Sequence, residues 1–123
     1  MLRVTAITDE DAALCPIRQV LSKVTGKWQS LILLSLEDGP QRFSSLKRLI
    51  GDITQRVLTE NLRDLERDGY VTRDVRHGPP VEVHYHLTDI GEDLVARFKP
   101  LVFWAAENHA RIIANRQAYD ARD

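Results

Sequence analysis

The 123 residues suffice for one domain with a modest core, and 43% hydrophobic and 28% charged residues are ordinary for a soluble globular protein. A single cysteine excludes an internal disulfide and a cysteine-rich zinc site, and no apolar run is long enough to span a bilayer. The formal net charge of -1 does not indicate nucleic-acid binding, although the span 40–78 holds eight basic and six acidic side chains and is locally positive.

Residues 1–14 contain no basic segment followed by an apolar stretch, so we expect no secretory signal. Together with the composition and the single cysteine, this predicts a cytoplasmic protein with no membrane partner. Pro16 suits the first position of a helix, where its missing N–H is harmless. The residues expected to form a buried stripe on this helix are Ile17, Val20, Leu21 and Val24. A central core helix is predicted over 27–38, because it is apolar nearly all round, and Gly39-Pro40 ends it.

The span 41–69 has the pattern of a helix-turn-helix. Residues 41–43 can form a short edge strand, and Ser44 or Ser45 can cap a short helix that reaches Ile50. The inward residues of this helix are expected to be Leu46, Leu49 and Ile50. After a turn at Gly51-Asp52, Thr54 caps a second helix that stops at Gly69. Its buried face is predicted to hold Val57, Leu58, Leu62 and Leu65.

The outer face of the second helix carries side chains that can contact phosphate oxygens and base edges in a DNA groove. These side chains are Gln55, Arg56, Thr59, Glu60 and Arg63. Recognition helices contact bases mainly with their N-terminal residues, so the first turns are expected to contribute most to sequence reading. The alternative is that the arginines form salt bridges within the helix, as the pairs Glu60–Arg63 and Asp64–Arg67 allow.

Two alternating segments, 70–76 and 81–87, predict a β-hairpin whose stiff tip is His77-Gly78-Pro79-Pro80. Thr88 can cap a C-terminal helix, which Pro100 should kink or split. The apolar stripe of this helix has more surface than a terminal helix needs for packing on the core of its own chain. This predicts a dimer interface, shared with the N-terminal segment. The interface residues are expected to be Phe98, Leu101, Val102 and Ala105. Trp28 and Trp104 lie in apolar stripes and are expected in the core.

Three short segments in order, Cys15-Pro16, Gly26-Lys27-Trp28 and Arg42-Phe43-Ser44-Ser45-Leu46, resemble the HxlR-type winged helix-turn-helix transcription regulators, which are relatives of the MarR type. The resemblance extends over roughly 15–108 through 58–69, Pro79-Pro80, Tyr85, Leu87-Thr88, Gly91 and Trp104. It implies a homodimer that binds palindromic or near-palindromic DNA upstream of its target genes. It also implies that the terminal helices build the dimer interface.

The expected fold is therefore mainly α with a small β-hairpin: a winged helix-turn-helix with additional N- and C-terminal dimerisation helices. One domain is expected over 1–123, with the core and wing over 15–88 and the dimerisation elements over 1–25 and 89–115. The predicted DNA-binding residues come from both helices and the hairpin: Ser44, Ser45, Thr54, Gln55, Arg56, Thr59, Glu60, Arg63, Arg76 and His77.

The predicted function is a sequence-specific, DNA-binding transcription regulator that acts as a homodimer on double-stranded promoter DNA and needs no cofactor. The alternatives are a winged-helix protein-interaction module without sequence-specific DNA binding, and a small-molecule-binding protein without a DNA role. No nucleophile–base–acid set, phosphate loop or dinucleotide fingerprint is present, so an enzyme is not expected.

Cys15 is the candidate sensor of an inducer, which can be an oxidant, an electrophile or another small molecule. The helix start at Pro16 and the cation of Arg18 favour the thiolate, and the resemblance implies that some relatives sense oxidants with a cysteine at this position. The alternative is an inert packing thiol. His84 and His86 lie on one face of a strand, but nothing completes a metal site, so none is predicted.

Overall fold

The computed structural model describes residues 8–122, which form a mainly helical fold with a small antiparallel sheet. The helices are α1 (Asp9–Ala13), α2 (Ser22–Val24), α3 (Lys27–Ser35), α4 (Phe43–Ile50), α5 (Gln55–Arg67) and α6 (Asp89–Asp120). The strands are β1 (Gln41–Arg42), β2 (Val71–Arg76) and β3 (Glu82–Leu87). A π-helical turn, Ile17–Leu21, precedes α2. The order of helices and strands is that of the predicted winged helix-turn-helix, and the predicted fold class is confirmed.

The sheet has the strand order β1-β3-β2, so the short strand before α4 joins the hairpin as its third member. In this register Tyr85 pairs with Gln41 on one side and with Arg73 on the other. Side chains on a strand alternate between the two faces of a sheet. Val71, Tyr85 and Leu87 therefore share one face, and this face packs on the helices.

The core is built around α3, as the sequence predicts. Ile32 and Leu33 of α3 are fully buried, and the apolar faces of α4, α5 and the first part of α6 surround them. The buried face of α5 holds Leu58, Leu62 and Leu65, while Val57 is only partly buried. These contacts fix α5 on the core and turn its opposite face to solvent.

The two ends of α5 follow the predicted chemistry. The Thr54 hydroxyl accepts a hydrogen bond from the Val57 N–H at 3.2 Å, which satisfies one of the open donors of the first turn. Gly69 has φ +85°, a conformation that glycine adopts without the steric cost of a Cβ. The chain enters β2 at Val71, so only a short turn connects α5 to the hairpin.

The start of α6 is held against the turn that follows α5. The Thr88 hydroxyl accepts from the Gly91 N–H at 3.2 Å and donates to the Gly69 carbonyl, and the Thr88 N–H donates to the Tyr70 carbonyl at 3.0 Å. A Cβ on Gly91 would lie 2.1 Å from the Tyr70 oxygen, which no side chain can tolerate. Glycine at this position lets the two segments touch backbone to backbone.

Helix α4 ends at Ile50 as predicted but differs from the prediction in its cap and in the burial of Leu49. It begins at Phe43, with extended backbone at Arg42, so neither Ser44 nor Ser45 is the cap and both lie in the first turn. Leu49 is 61% exposed rather than buried. The reason is angular: Leu46 and Ile50 are four residues apart and share the inward face, whereas Leu49 lies about 100° from Ile50 around the axis.

Three further expectations about the terminal helices are wrong. Val20 and Leu21 are exposed, because Ile17–Leu21 has π-helical rather than 3.6-residue periodicity, and only Val24 of the expected stripe is buried. Helix α6 is not split at Pro100 but continues to Asp120, since one proline removes only one N–H from the helix; the alternative expectation, a kink at Pro100, stays a prediction. Trp104 is 55% exposed, because it lies about 180° around the helix axis from Val95, which is buried in the core.

Across residues 8–122 no helix is long and apolar enough to cross a membrane.

Candidate nucleic-acid interface

Helices α4 and α5 form the helix-turn-helix, with Gly51 at φ +83° in the turn between them. Of the residues predicted to face DNA on α5, all but one are exposed, and Thr59 is partly buried. The exposed ones are Gln55, Arg56, Glu60 and Arg63. The structure thus brings the predicted reading residues together on one solvent-facing stripe.

The contacts within α5 differ from the salt bridges that the sequence allowed. Arg56 Nε donates to Glu60 Oε1 at 3.0 Å, and Thr59 Oγ1 donates to the Gln55 carbonyl at 2.8 Å. In the part of the chain that the structure describes, Arg63 forms no ion pair. Exposed pairs such as Arg56–Glu60 contribute little to stability, so Arg56 can exchange its carboxylate for a phosphate at small cost.

A cleft of about 450 Å³ lies between part of α5 and the sheet. Its lining is largely polar and comes from α4, α5, β2 and β3: Phe43, Gln55, Thr59, Leu62, Arg63, Glu66, Arg73 and Tyr85. Gln55, Thr59 and Arg63 were predicted as DNA-binding residues, and Arg73 was not. One sequence signal for Arg73 exists: it interrupts the apolar alternation of Val71 and Val75 on the inward face of β2.

A second concave surface, of about 470 Å³, lies beside α4 and is lined by Ser44, Lys47, Arg48 and Gly51. Ser44 is exposed, and Ser45 accepts a hydrogen bond from Arg48 Nη2 at 3.4 Å. Lys47 and Arg48 are both exposed cations in the last turn of α4. They were missed as candidates, although two consecutive basic residues next to the predicted turn were a visible signal.

Arg76 and His77 lie away from the cleft between α5 and the sheet. Arg76 pairs with Glu82 across the hairpin and lies 3.6 Å from Asp74, which places it on the opposite face of the sheet from Arg73. His77 is exposed at the tip of the hairpin. Neither residue lines the cleft beside α5.

Glu82 ties the hairpin to β1. Its carboxylate accepts from His84 Nε2 at 3.1 Å and lies 3.6 Å from Arg42 Nη1. The hydrogen bond from His84 and the charge of Arg42 lower the pKa of Glu82 below its usual 4.5. His84 thus has a structural partner, and no cluster of three or more residues suited to a metal ion occurs within 8–122.

Replacing His84 with phenylalanine should raise the pKa of Glu82 towards 4.5, because the largest cause of its lowering is removed. In the wild type the folded pKa is below the unfolded one, so the stabilisation is complete above the unfolded pKa and is lost as the pH falls through the folded pKa. Carboxyl-carbon NMR titration measures the shift. His77→Phe at the exposed tip is the matched control, and an unchanged Glu82 pKa in His84→Phe would contradict the assignment.

Helix α6 leaves a large apolar surface uncovered in the single chain. We call Leu101, Val102, Phe103 and Trp104 the α6 apolar surface; each is between 41% and 59% exposed. Ala105 is exposed beside it, whereas Phe98 is only 8% exposed and belongs to the core of its own chain. A hollow of about 190 Å³, lined by Leu34 and Thr25 among others, lies next to this surface.

Cys15 is 4% exposed. It lies before the π-helical turn, where its N–H donates to the Ala12 carbonyl at 3.2 Å and its carbonyl accepts from the Gln19 N–H at 2.9 Å. Reactive thiols are usually partly exposed, so the burial of Cys15 favours the packing alternative over an accessible thiolate.

Comparison with known proteins gives consistent matches. A family model described as HxlR-like helix-turn-helix matches residues 23–113. The HTH-type transcriptional regulator YtfH of Escherichia coli strain K12 is 38% identical over 102 residues, which cover 83% of this chain and 81% of the relative.

Two solved structures are similar over most of their length. The transcriptional regulator YtfH of Salmonella typhimurium is 37% identical with a TM-score of 0.77, covering 85% of this chain and 94% of that one. The redox regulator HypR in its oxidized form is 38% identical with a TM-score of 0.72, covering 76% of this chain and 97% of that one.

Proposed function

The chain belongs to the HxlR-like helix-turn-helix family of transcriptional regulators, and from this premise we propose that it binds a promoter operator in a sequence-specific manner as a homodimer. The observation that carries the proposal is the exposed stripe of α5, held rigidly beside a hairpin and containing Arg63 without an ion pair among the described residues. Such a stripe offers both amide and guanidinium donors to base edges.

The proposed mechanism places one α5 helix of each subunit in successive major grooves, about 34–36 Å apart. Gln55, Arg56 and Thr59 lie in the first turns of α5 and would meet base edges. Lys47 and Arg48 on α4 would contact the backbone, while the hairpin tip flanks the groove. The exposed arginines would supply the counterion-releasing contacts that dominate affinity.

The α6 apolar surface supports the homodimer. Four large apolar side chains in a row, each more than 40% exposed, are costly for a lone soluble chain and mark an interaction surface. A two-fold axis lets the same surface cover itself in the second subunit. Such an arrangement would also set the distance between the two α5 helices.

Selection from a random pool of double-stranded DNA tests the proposal. The wild-type protein should enrich an inverted repeat with half-site centres about 10–10.5 base pairs apart. The logarithm of the binding constant should fall with the logarithm of salt concentration, by about 0.9 for each phosphate contacted. No enriched sequence, or binding that does not respond to salt, would support the protein-interaction alternative instead.

A redox inducer is supported by the similarity to the redox regulator HypR and by the presence of Cys15. Because Cys15 is 4% exposed, an oxidant would first need a local opening of the N-terminal segment. One thiol per chain can end as a sulfenic acid, a mixed disulfide with a small thiol, or a bridge between subunits. The bridge requires Cα atoms within about 7 Å of each other.

Diamide or a quinone should abolish operator binding by the wild type and leave Cys15→Ser unaffected. The reason is that the serine hydroxyl cannot form the sulfur adduct or bridge that would change the spacing of the two α5 helices. Binding is measured before and after treatment in both proteins, and then after reduction with dithiothreitol. Equal responses of the two proteins would leave Cys15 as a packing residue.

A further inference from the structure

Arg73 is a charged residue on the face of the sheet that packs against the helices. It lies beside Tyr85 in the register and shares its face with Val71, which is 2% exposed. Side chains on this face are expected to be apolar, since the alternation directs them to the core. Arg73 is nevertheless exposed, because β2 lies at one edge of the sheet and the cleft beside α5 opens at this point.

Arg63 enters the same cleft from α5, so two guanidinium groups and one carboxylate, that of Glu66, line it. Among the described residues neither arginine forms an ion pair with Glu66 or with any other acid. Like charges that share a cleft repel each other, and an anion between them removes this repulsion. Guanidinium forks match the oxygens of a phosphate with two parallel hydrogen bonds.

We propose that Arg73 binds a backbone phosphate of the operator and thereby fixes how α5 is seated in the major groove. The cleft opens beside Gln55 and Thr59, so the DNA strand that borders the bases read by α5 passes its mouth. Arg73 is a positioning residue: it contacts the backbone and carries no base information itself. The inference rests on the proposed DNA-binding function and adds a contact from β2 to it.

The test compares Arg73→Gln, Arg73→Lys and the wild type on the operator selected by the wild type. Arg97→Gln is the matched control, since Arg97 is an exposed arginine of α6 whose ion pair among the described residues is with Asp93, and its replacement changes the net charge equally. One phosphate per subunit makes two per dimer, so the salt slope of Arg73→Gln should be smaller by about 2. Arg73→Lys should keep most of the slope, and Arg97→Gln should keep all of it.

Ethylation interference on the same operator locates the contact. One phosphate in each half-site should block binding of the wild type when ethylated and have no effect on the already weakened Arg73→Gln. Relative affinities for operators with altered bases should stay unchanged in Arg73→Gln, because a backbone contact weakens all sequences alike. Circular dichroism and thermal melting establish that each variant is folded.

The outcomes separate the inference from the function on which it rests. If the wild type enriches no DNA, the proposed function itself fails. If the wild type binds its operator and Arg73→Gln has the same salt slope and the same interference pattern, Arg73 holds no phosphate and only the present inference is overturned. A changed base preference in Arg73→Gln would also overturn it, in favour of direct base reading.

Discussion

Replacing Arg63 with alanine should weaken operator binding by about 1–3 kcal/mol, or about 5–150-fold, if it reads a base. Arg63 is exposed on the outer stripe of α5 and has no ion pair among the described residues, so its loss removes a DNA contact without releasing a protein partner. Arg56→Ala should fall near the lower end of this range. Arg56 gives up its contact with Glu60 when it binds DNA, which offsets part of the gain.

Fluorescence anisotropy with the selected operator measures both variants. Arg67→Ala is the matched control, because Arg67 is an exposed arginine at the other end of the same helix and does not line the cleft. All three variants should melt like the wild type, since none of these side chains is part of the core. Wild-type affinity of both Arg56→Ala and Arg63→Ala, with folding intact, would mean that the assigned reading face is wrong.

The double substitution Leu101→Glu/Trp104→Glu should convert the proposed dimer into a folded monomer that binds the operator far more weakly. Each side chain is more than half exposed in the single chain, so the core does not depend on it. Two carboxylates per subunit at an apolar interface remain unpaired and disfavour association strongly. A monomer also loses the gain in affinity that comes from linking two DNA-binding heads.

Sedimentation measures the oligomeric state, and anisotropy measures DNA binding. Ile90→Glu is the control, because Ile90 is an equally exposed apolar residue in the first turn of α6, away from the α6 apolar surface. Cutting the chain before Lys99 is a blunter test, since it also removes the ion pair of Lys99 with Glu37. A stable dimer of the double variant would place the subunit interface elsewhere.

Helix α5 shows what a sequence can predict about such a site. Leucines at positions 58, 62 and 65 repeat with helical spacing, a threonine stands at the start and a glycine at the end, and all these signals agree. Where local signals agree with the global fold, the buried face of a helix can be predicted, and the remaining side chains form its exposed face. The stripe from Gln55 to Arg63 is therefore predictable from the amino-acid pattern alone.

The remaining features depend on contacts between distant segments. Arg42 could not be recognised as the residue before α4, because the two serines that lie two and three positions further on are better caps by composition alone. Arg73 joins the cleft only because the hairpin register sets it beside Tyr85 at a sheet edge next to α5.

The backbone contact between Gly91 and Tyr70 joins the start of α6 directly to the turn that follows α5. Helix α6 has 32 residues and is therefore about 48 Å long at about 1.5 Å per residue, with the junction at one end and the apolar surface towards its middle. Thr88 also donates hydrogen bonds to the carbonyls of Gly69 and Tyr70, and these contacts hold the start of α6 against the end of α5. In the proposed homodimer, a tilt of one α6 helix against its partner would therefore move α5 of that subunit with it, so a signal would need only to change the angle at which the two helices cross.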